Sequence, residues 1–200
     1  MRDVSAPRID RPELTLPEAE AALLRAEYAA ASVILEYGSG GSTVLAGEMP
    51  GKRVFSVESD PDWAAMMRDW FAQTPPASPV EVIHADIGPT KEWGHPKSHH
   101  GWRSYPAYPL GVWELDEIPH PDVVLVDGRF RVGCALATAF RAQRPVVLLF
   151  DDYAGRQAYH VIEDYLGTPE LTGRMARFEV TPQPVPAERL LQVIQLMQRP

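Results

Sequence analysis

At 200 residues the chain suits a single domain, since domains usually run to roughly 100–200 residues. Its 45% hydrophobic and 23% charged residues are ordinary globular composition, enough to build a core. Nineteen basic against twenty-seven acidic residues leave a formal charge of −8 at pH 7, which argues against a protein whose main task is to neutralise nucleic-acid phosphates or to ride on an anionic membrane.

Residues 1–16 are polar and proline-rich and read as an extended arm. Charges with no apolar stretch behind them give no secretory signal, and no apolar run reaches the ~18 residues of a membrane span. Pro17 suits a first helical position, with Glu18 and Glu20 in the first turn, and Leu23, Leu24 and Tyr28 give that helix an apolar face to about Ala31. Val33-Ile34-Leu35 is a short branched run broken by glycines, a buried strand, and residues 42–48 follow as a short helix. Residues 53–58 form a second strand. Asp60 and Pro61 then start a helix carrying Trp63, Met66, Met67, Trp70 and Phe71, which the segment PPASP ends. Residues 80–86 alternate as a third strand.

Residues 87–119 have no clean period, but they hold Trp93, Trp102, Trp113, Tyr105 and Tyr108. Disordered segments are poor in aromatics, so this stretch reads as a partly ordered lid, the other reading being a structural cap over a sheet edge. Residues 122–127 and 145–150 are two further apolar strands, with a helix over 132–143 between them and another over 156–166. Cys134, the single cysteine, cannot form an internal disulfide and reads as a small core residue; a reducing, cytoplasmic setting is expected. Residues 176–180 and 190–196 both look strand-like, and the link TPQPVPAER leaves no room for a crossover helix, so they should pair antiparallel. The expectation is one α/β domain: a doubly wound, seven-stranded, mostly parallel sheet with helices on both faces, ending in an antiparallel strand pair.

The strongest signal is the turn Gly38-Ser39-Gly40-Gly41 between the first strand and the helix that opens at Ser42-Thr43. Glycines let a ligand approach the backbone, and the helix N-terminus offers free N–H groups to it. Dinucleotide-binding folds use such a turn too, but their fingerprint wants glycine or alanine where Thr43 stands, which weakens an NAD-dependent oxidoreductase reading.

Glu36-Tyr37-Gly38-Ser39-Gly40 after the first strand, Glu58 after the second, Asp86 after the third and the antiparallel ending together make the chain resemble the class I S-adenosylmethionine-dependent methyltransferases. The resemblance spans residues 16–196 apart from the 87–119 insertion. It implies a cofactor site of Glu36, Gly38, Ser39, Gly40, Gly41 and Ser42. Glu58, with Ser59 beside it, would take the ribose hydroxyls, Asp86 and Ile87 would lie near the adenine, and Asp127 would complete the site.

Methyl transfer to a hydroxyl needs reactants held close and dry, and a base or metal for the acceptor's proton. Asp127 after the fourth strand and Asp151-Asp152 after the fifth sit where ligands bind in parallel sheets, and Asp127 and Asp151 are the catalytic candidates. Three converging carboxylates suit magnesium, and FDDYAGRQAYHVIEDYL is similar to the macrocin- and catechol-type O-methyltransferases, in which acids after strands four and five hold that ion. Arg129 and Arg131 offer another reading: they neutralise the same acids without metal, or grip an anionic acceptor. His95, His99 and His100 lack a metal-ligand pattern; any of them could be a base reaching from the lid. His84 and His160 read as structural.

The function expected is S-adenosylmethionine-dependent methyl transfer to oxygen on a small molecule, an anionic one where Arg129 and Arg131 grip the acceptor. No Asp/Asn-Pro-Pro-aromatic motif follows the fourth strand, which with the −8 charge argues against nucleic acid; the charge and the lack of a long apolar run argue against a membrane partner, while a homo-oligomer is compatible. A non-catalytic module binding S-adenosylmethionine or S-adenosylhomocysteine is the alternative.

Overall fold

The computed structural model describes residues 9–200. Residues 1–8 of the expected arm lie outside the described residues, and residues 9–16 form no helix or strand. In chain order the elements begin with α1 (Glu18–Ala30), β1 (Val33–Tyr37), α2 (Gly41–Glu48), β2 (Arg53–Glu58), α3 (Pro61–Gln73) and β3 (Val80–His84). The insertion contributes β4 (Thr90–Lys91), β5 (His95–Pro96) and α4 (Ala107–Leu110). There follow β6 (Val123–Val126), α5 (Arg131–Arg141), β7 (Val146–Phe150), α6 (Glu163–Leu166), β8 (Glu170–Thr172), β9 (Met175–Val180) and α7 (Leu190–Met197).

Seven strands form one sheet in the order β3-β2-β1-β6-β7-β9-β8. The first five run parallel, and β9 is antiparallel to both β7 and β8. The order reverses between β1 and β6, so their carboxyl ends splay and leave a crevice at that switch point. Strand alternation sorts the core. Leu35, Tyr37, Val124 and Val126 face α5, α7 and the insertion, while Ile34, Val54, Val123 and Leu125 face Leu24 and Tyr28 of α1.

The expected strand at 190–196 is instead a helix, and the antiparallel partner of β9 is β8, joined to it through Gly173-Arg174. The reason lies in LLQVIQLM: Val193, Leu196 and Met197 bury one helical face, whereas the adjacent branched pair Val193-Ile194 mimics a strand. The helix expected over 156–166 is a 3-10 turn, Gln157–Ile162, running into one turn of α6.

The insertion is mostly a cap. Tyr105, Tyr108 and Val112 are buried against Phe130, and Trp113 donates from Nε1 to Tyr37 Oη at 2.7 Å. Its rim, β4–β5, is tied to the end of β2 by Thr90 Oγ1 donating to Asp60 Oδ2 at 3.0 Å.

Candidate functional site

A cavity of about 1120 Å³ opens over the carboxyl ends of β1, β2, β6 and β7. The glycine turn forms its floor. Gly38 (φ +102°) leaves β1 and lies back to back with Gly128, which follows β6: a Cβ on Gly38 would stand 2.8 Å from Gly128 Cα. Gly40 has open space where a side chain would be. Gly41 has none, because the backbone of Glu13 and Leu14 crosses it; a Cβ there would meet Glu13 C at 2.2 Å. The arm from Pro12 to Leu16 therefore forms one wall of the cavity. Arg11 anchors it, holding both carboxylate oxygens of Glu48 at 3.0 Å.

Glu58 ends β2 in the cavity wall, nearly buried. Its Oε1 accepts from the backbone N–H of Ser59 and Asp60 at 2.7 and 2.9 Å, and its Oε2 accepts from Ser39 N at 3.2 Å. No cation faces it among the described residues, and burial raises its pKa above the usual carboxylate value. Trp63 braces the turn by donating from Nε1 to Ser39 O at 2.8 Å, and its ring, with Met66 and Trp93, supplies an apolar side to the cavity.

Several expected cofactor residues stand elsewhere. Glu36 is fully buried beneath the turn, accepting from Tyr28 Oη at 2.6 Å and Thr43 Oγ1 at 2.5 Å; Thr43 Oγ1 in turn accepts from Gly40 N at 2.9 Å. It shapes the turn rather than lining the cavity. Asp86 is exposed and accepts from Gly88 N at 2.9 Å, Ile87 is packed in the core, and Ser59 is buried with its hydroxyl on Gly94 O at 3.0 Å; none of the three lines the cavity. Gly38, Ser39, Gly40, Gly41, Ser42, Glu58 and Asp127 do line it.

At the other end Asp127, Asp151 and Asp152 converge as expected, but each is held by arginine. Asp151 is buried and takes Nε and Nη2 of Arg174 at 2.9 and 2.8 Å. Asp152 accepts from Arg156 at 2.6 Å and lies 3.3 Å from Arg174, while Arg131 stands 3.0 Å from Asp127 and 3.8 Å from Asp152. Guanidinium groups occupy the directions a cation would need, and they would repel it. Among the described residues no group of three or more His, Cys, Asp or Glu side chains is placed to hold a metal. The expected magnesium site at Asp127, Asp151 and Asp152 is thus corrected: these residues do not fit the ion, and the arginine reading takes its place.

Asp127 is the most exposed of these three cavity-lining acids, with 35% of its side chain accessible against 24% for Asp152 and 2% for Asp151. Burial of the remainder, offset by Arg131 and reinforced by the Asp151 and Asp152 carboxylates, pushes its pKa up to about 7. Arg131 is not available to an acceptor, because its guanidinium also donates to the backbone oxygens of Gly128, Asp151 and Asp127 at 3.0, 2.7 and 2.9 Å. Arg129 is different: Nη1 meets His95 Nε2, and no carboxylate among the described residues holds it.

Of the insertion's tryptophans, Trp93 lines the cavity, 87% exposed on a left-handed backbone (φ +61°). Trp102 does not line it, and Trp113 packs in the cap. His95 is the one expected lid histidine at the cavity; burial, Arg129 and Lys91 lower its pKa. His160 stacks on Tyr153 with centroids 4.7 Å apart, and Cys134 is buried, with burial pushing its thiol pKa well up. Neither Arg174 nor the place of the arm in the cavity wall was anticipated.

Among solved structures, the chain is 60% identical to a methyltransferase-like protein from Silicibacter pomeroyi, over 95% of this chain and 99% of that one, with a TM-score of 0.93. The fold also matches cofactor-bound Rv0187 from MTB (21% identity, 87% and 85% of the two chains, TM-score 0.57). A third match is the O-methyltransferase TomG from Streptomyces achromogenes in complex with SAM (15% identity, 85% and 82%, TM-score 0.54). No family model and no curated protein matches this chain. Among the described residues no helix is long and apolar enough to cross a membrane.

Proposed function

This chain belongs to the class I S-adenosylmethionine-dependent methyltransferases, and on that premise we propose that it methylates a hydroxyl of a small-molecule acceptor. The carrying observation is one cavity with two unlike carboxylates, Glu58 at the glycine-turn end and Asp127 beside the arginine-held acids.

The residues at the turn fit the cofactor. Glu58 is a buried acceptor with no cation to satisfy it, and Oε2 has a single donor, leaving room for ribose hydroxyls. Gly40 leaves open space beside it, and Trp63 and Met66 offer an apolar surface of the kind a purine ring covers. When bound, S-adenosylmethionine supplies a methyl carbon on a positively charged sulfur.

Asp127 is the base in this reading. A carboxylate poised near pH 7 can take the acceptor's proton as its oxygen bonds the methyl carbon and the carbon–sulfur bond breaks. Asp151 acts as a positioning residue: with Arg174 and Arg131 it sets the charge around Asp127. The arm and Trp93 line the cavity on its outer side.

The test is calorimetric titration with S-adenosylhomocysteine, followed by assay of S-adenosylhomocysteine formation across hydroxylated small molecules. Binding with turnover supports the enzyme; binding without turnover on any acceptor favours the non-catalytic module; no binding removes both.

A further inference from the structure

A second cavity of about 400 Å³ adjoins the first and shares His95, Gly128, Arg129, Arg131 and Arg156 with it. Its remaining wall includes Tyr159, Arg199 and Pro200, and no Asp or Glu side chain among the described residues lines it. Four arginines around one recess are unusual in a chain carrying −8 overall.

Two of the four are already satisfied. Arg131 is used on Asp127 and three backbone oxygens, and Arg156 donates to Asp152 at 2.6 Å and to Tyr159 Oη at 3.3 Å. The other two are not. Arg129 spends only Nη1, on His95; its Nε is buried with no hydrogen-bond partner, and Nη2 has none among the described residues. The Arg199 side chain likewise has no partner among the described residues. For Arg129, which is partly buried, a guanidinium without a counter-charge is costly and an anion relieves that cost; Arg199 is exposed and adds a second positive charge to the recess. The recess is also lined by residues 130–132, where α5 begins and its first N–H groups have no helical acceptor.

Resting on the methyltransferase reading, we propose that this recess binds a carboxylate or phosphate group of the acceptor, with Arg129 and Arg199 as its cationic partners. The acceptor's anionic end then lies in the small cavity, and its hydroxyl reaches Asp127 across the shared wall at Gly128 and Arg131. Acceptors without the anionic group lose this anchor.

The experiment is calorimetry on protein saturated with S-adenosylhomocysteine, using inorganic phosphate and benzoate as probes and benzamide as the uncharged control. At least one anion should bind and benzamide should not. Binding of phosphate alone assigns a phosphate-bearing acceptor, and binding of benzoate alone a carboxylate. Arg129→Gln should weaken the anion about tenfold or more, the worth of a charge-assisted bond. Arg199→Gln, at an exposed residue outside the large cavity, should weaken it without altering S-adenosylhomocysteine affinity. Arg103→Gln, on the exposed insertion, should change nothing. If neither anion binds, or if both bind undiminished in the two variants, the proposal is overturned while the cofactor reading stands. Failure of S-adenosylhomocysteine to bind the unaltered protein overturns the cofactor reading instead.

Discussion

Arg174 grips Asp151 with two parallel hydrogen bonds, Nε to Oδ1 at 2.9 Å and Nη2 to Oδ2 at 2.8 Å. The arginine comes from the β8–β9 turn, and its own backbone N–H is fixed by Glu20 Oε1 at 2.8 Å. Removing it leaves a buried carboxylate with no counter-charge. Arg174→Ala is expected to lower unfolding stability by about 1.5–3 kcal/mol, the range for hydrogen bonds to charged groups. Arg174→Lys should recover part of that loss. Because guanidinium groups hold all three acids, exhaustive chelation should leave the melting temperature and any turnover unchanged. Urea unfolding of the variants and assays with and without EDTA check both points.

The raised pKa of Asp127 has a definite sign. Between the ordinary carboxylate value near 3.8 and about 7, the folded chain keeps a proton there that the unfolded chain has lost. This residue's contribution to stability therefore falls as pH rises through that window and is flat above it. Asp127→Asn should remove the slope, so the variant gains on the parent from pH 4 to pH 7. Turnover should move oppositely. It should rise with pH through about 7 as the base ionises, and Asp127→Asn should abolish that limb with a loss of about 10²–10⁴-fold. Thermal unfolding and rate profiles across pH measure the two effects.

Glu58 is expected to carry cofactor affinity. Glu58→Gln keeps an oxygen for the Ser59 and Asp60 N–H groups but exchanges the carboxylate that faces the cavity. S-adenosylhomocysteine should bind about 1.5–3 kcal/mol more weakly, with the unliganded melting temperature little moved. Unchanged affinity by calorimetry would send the ribose assignment elsewhere.

Gly128 has no room for a methyl group, since a Cβ would lie 2.2 Å from Tyr108 Oη and 2.8 Å from Gly38 N. Gly128→Ala should destabilise by about 1–3 kcal/mol, as overpacked sites do. Adding Tyr108→Phe removes the nearer clash and should recover part of the loss. That recovery is partial, because Gly38 still stands in the way and the Oη bonds to Val57 O and Arg129 N are forfeited.

The parallel half of the sheet was legible because most of its strands are short apolar runs ended by glycine or an acid, and the crossovers outside the 87–119 insertion carry a helical period. Side-chain direction was not legible. Glu36 and Glu58 both stand at the carboxyl end of a parallel strand, yet alternation along β1 sends Glu36 under the glycine turn toward Tyr28 and Thr43 while Glu58 lines the cavity. The β8 strand escaped notice because it is three residues long with Leu171 exposed. That in turn hid Arg174, whose partner Asp151 lies 23 positions earlier on another strand's end. Spacing brought Asp127, Asp151 and Asp152 together correctly, but only tertiary structure could show that arginines and not a metal hold them.

Gly41 stands at the start of α2, where a ligand-binding reading assigns the glycine to the cofactor, but the structure gives it a second duty. The Glu13 and Leu14 backbone crosses its Cα so closely that a Cβ would sit 2.2 Å from Glu13 C and O and 2.3 Å from Leu14 N. These are backbone atoms, so no rotamer can relieve the clash, and the arm must lift. Gly41 has an ordinary backbone angle, so alanine itself is tolerated in the helix. Gly41→Ala should therefore displace residues 12–16 while leaving the sheet intact. Endoproteinase Glu-C, which cuts after Glu13, should cleave the variant faster than the parent, with the melting temperature falling by only a few degrees. Because the arm forms one wall of the cavity, S-adenosylhomocysteine should bind the variant more weakly and protect the parent's arm from cleavage. Equal cleavage rates in the two proteins would show that the arm does not depend on the missing side chain at Gly41.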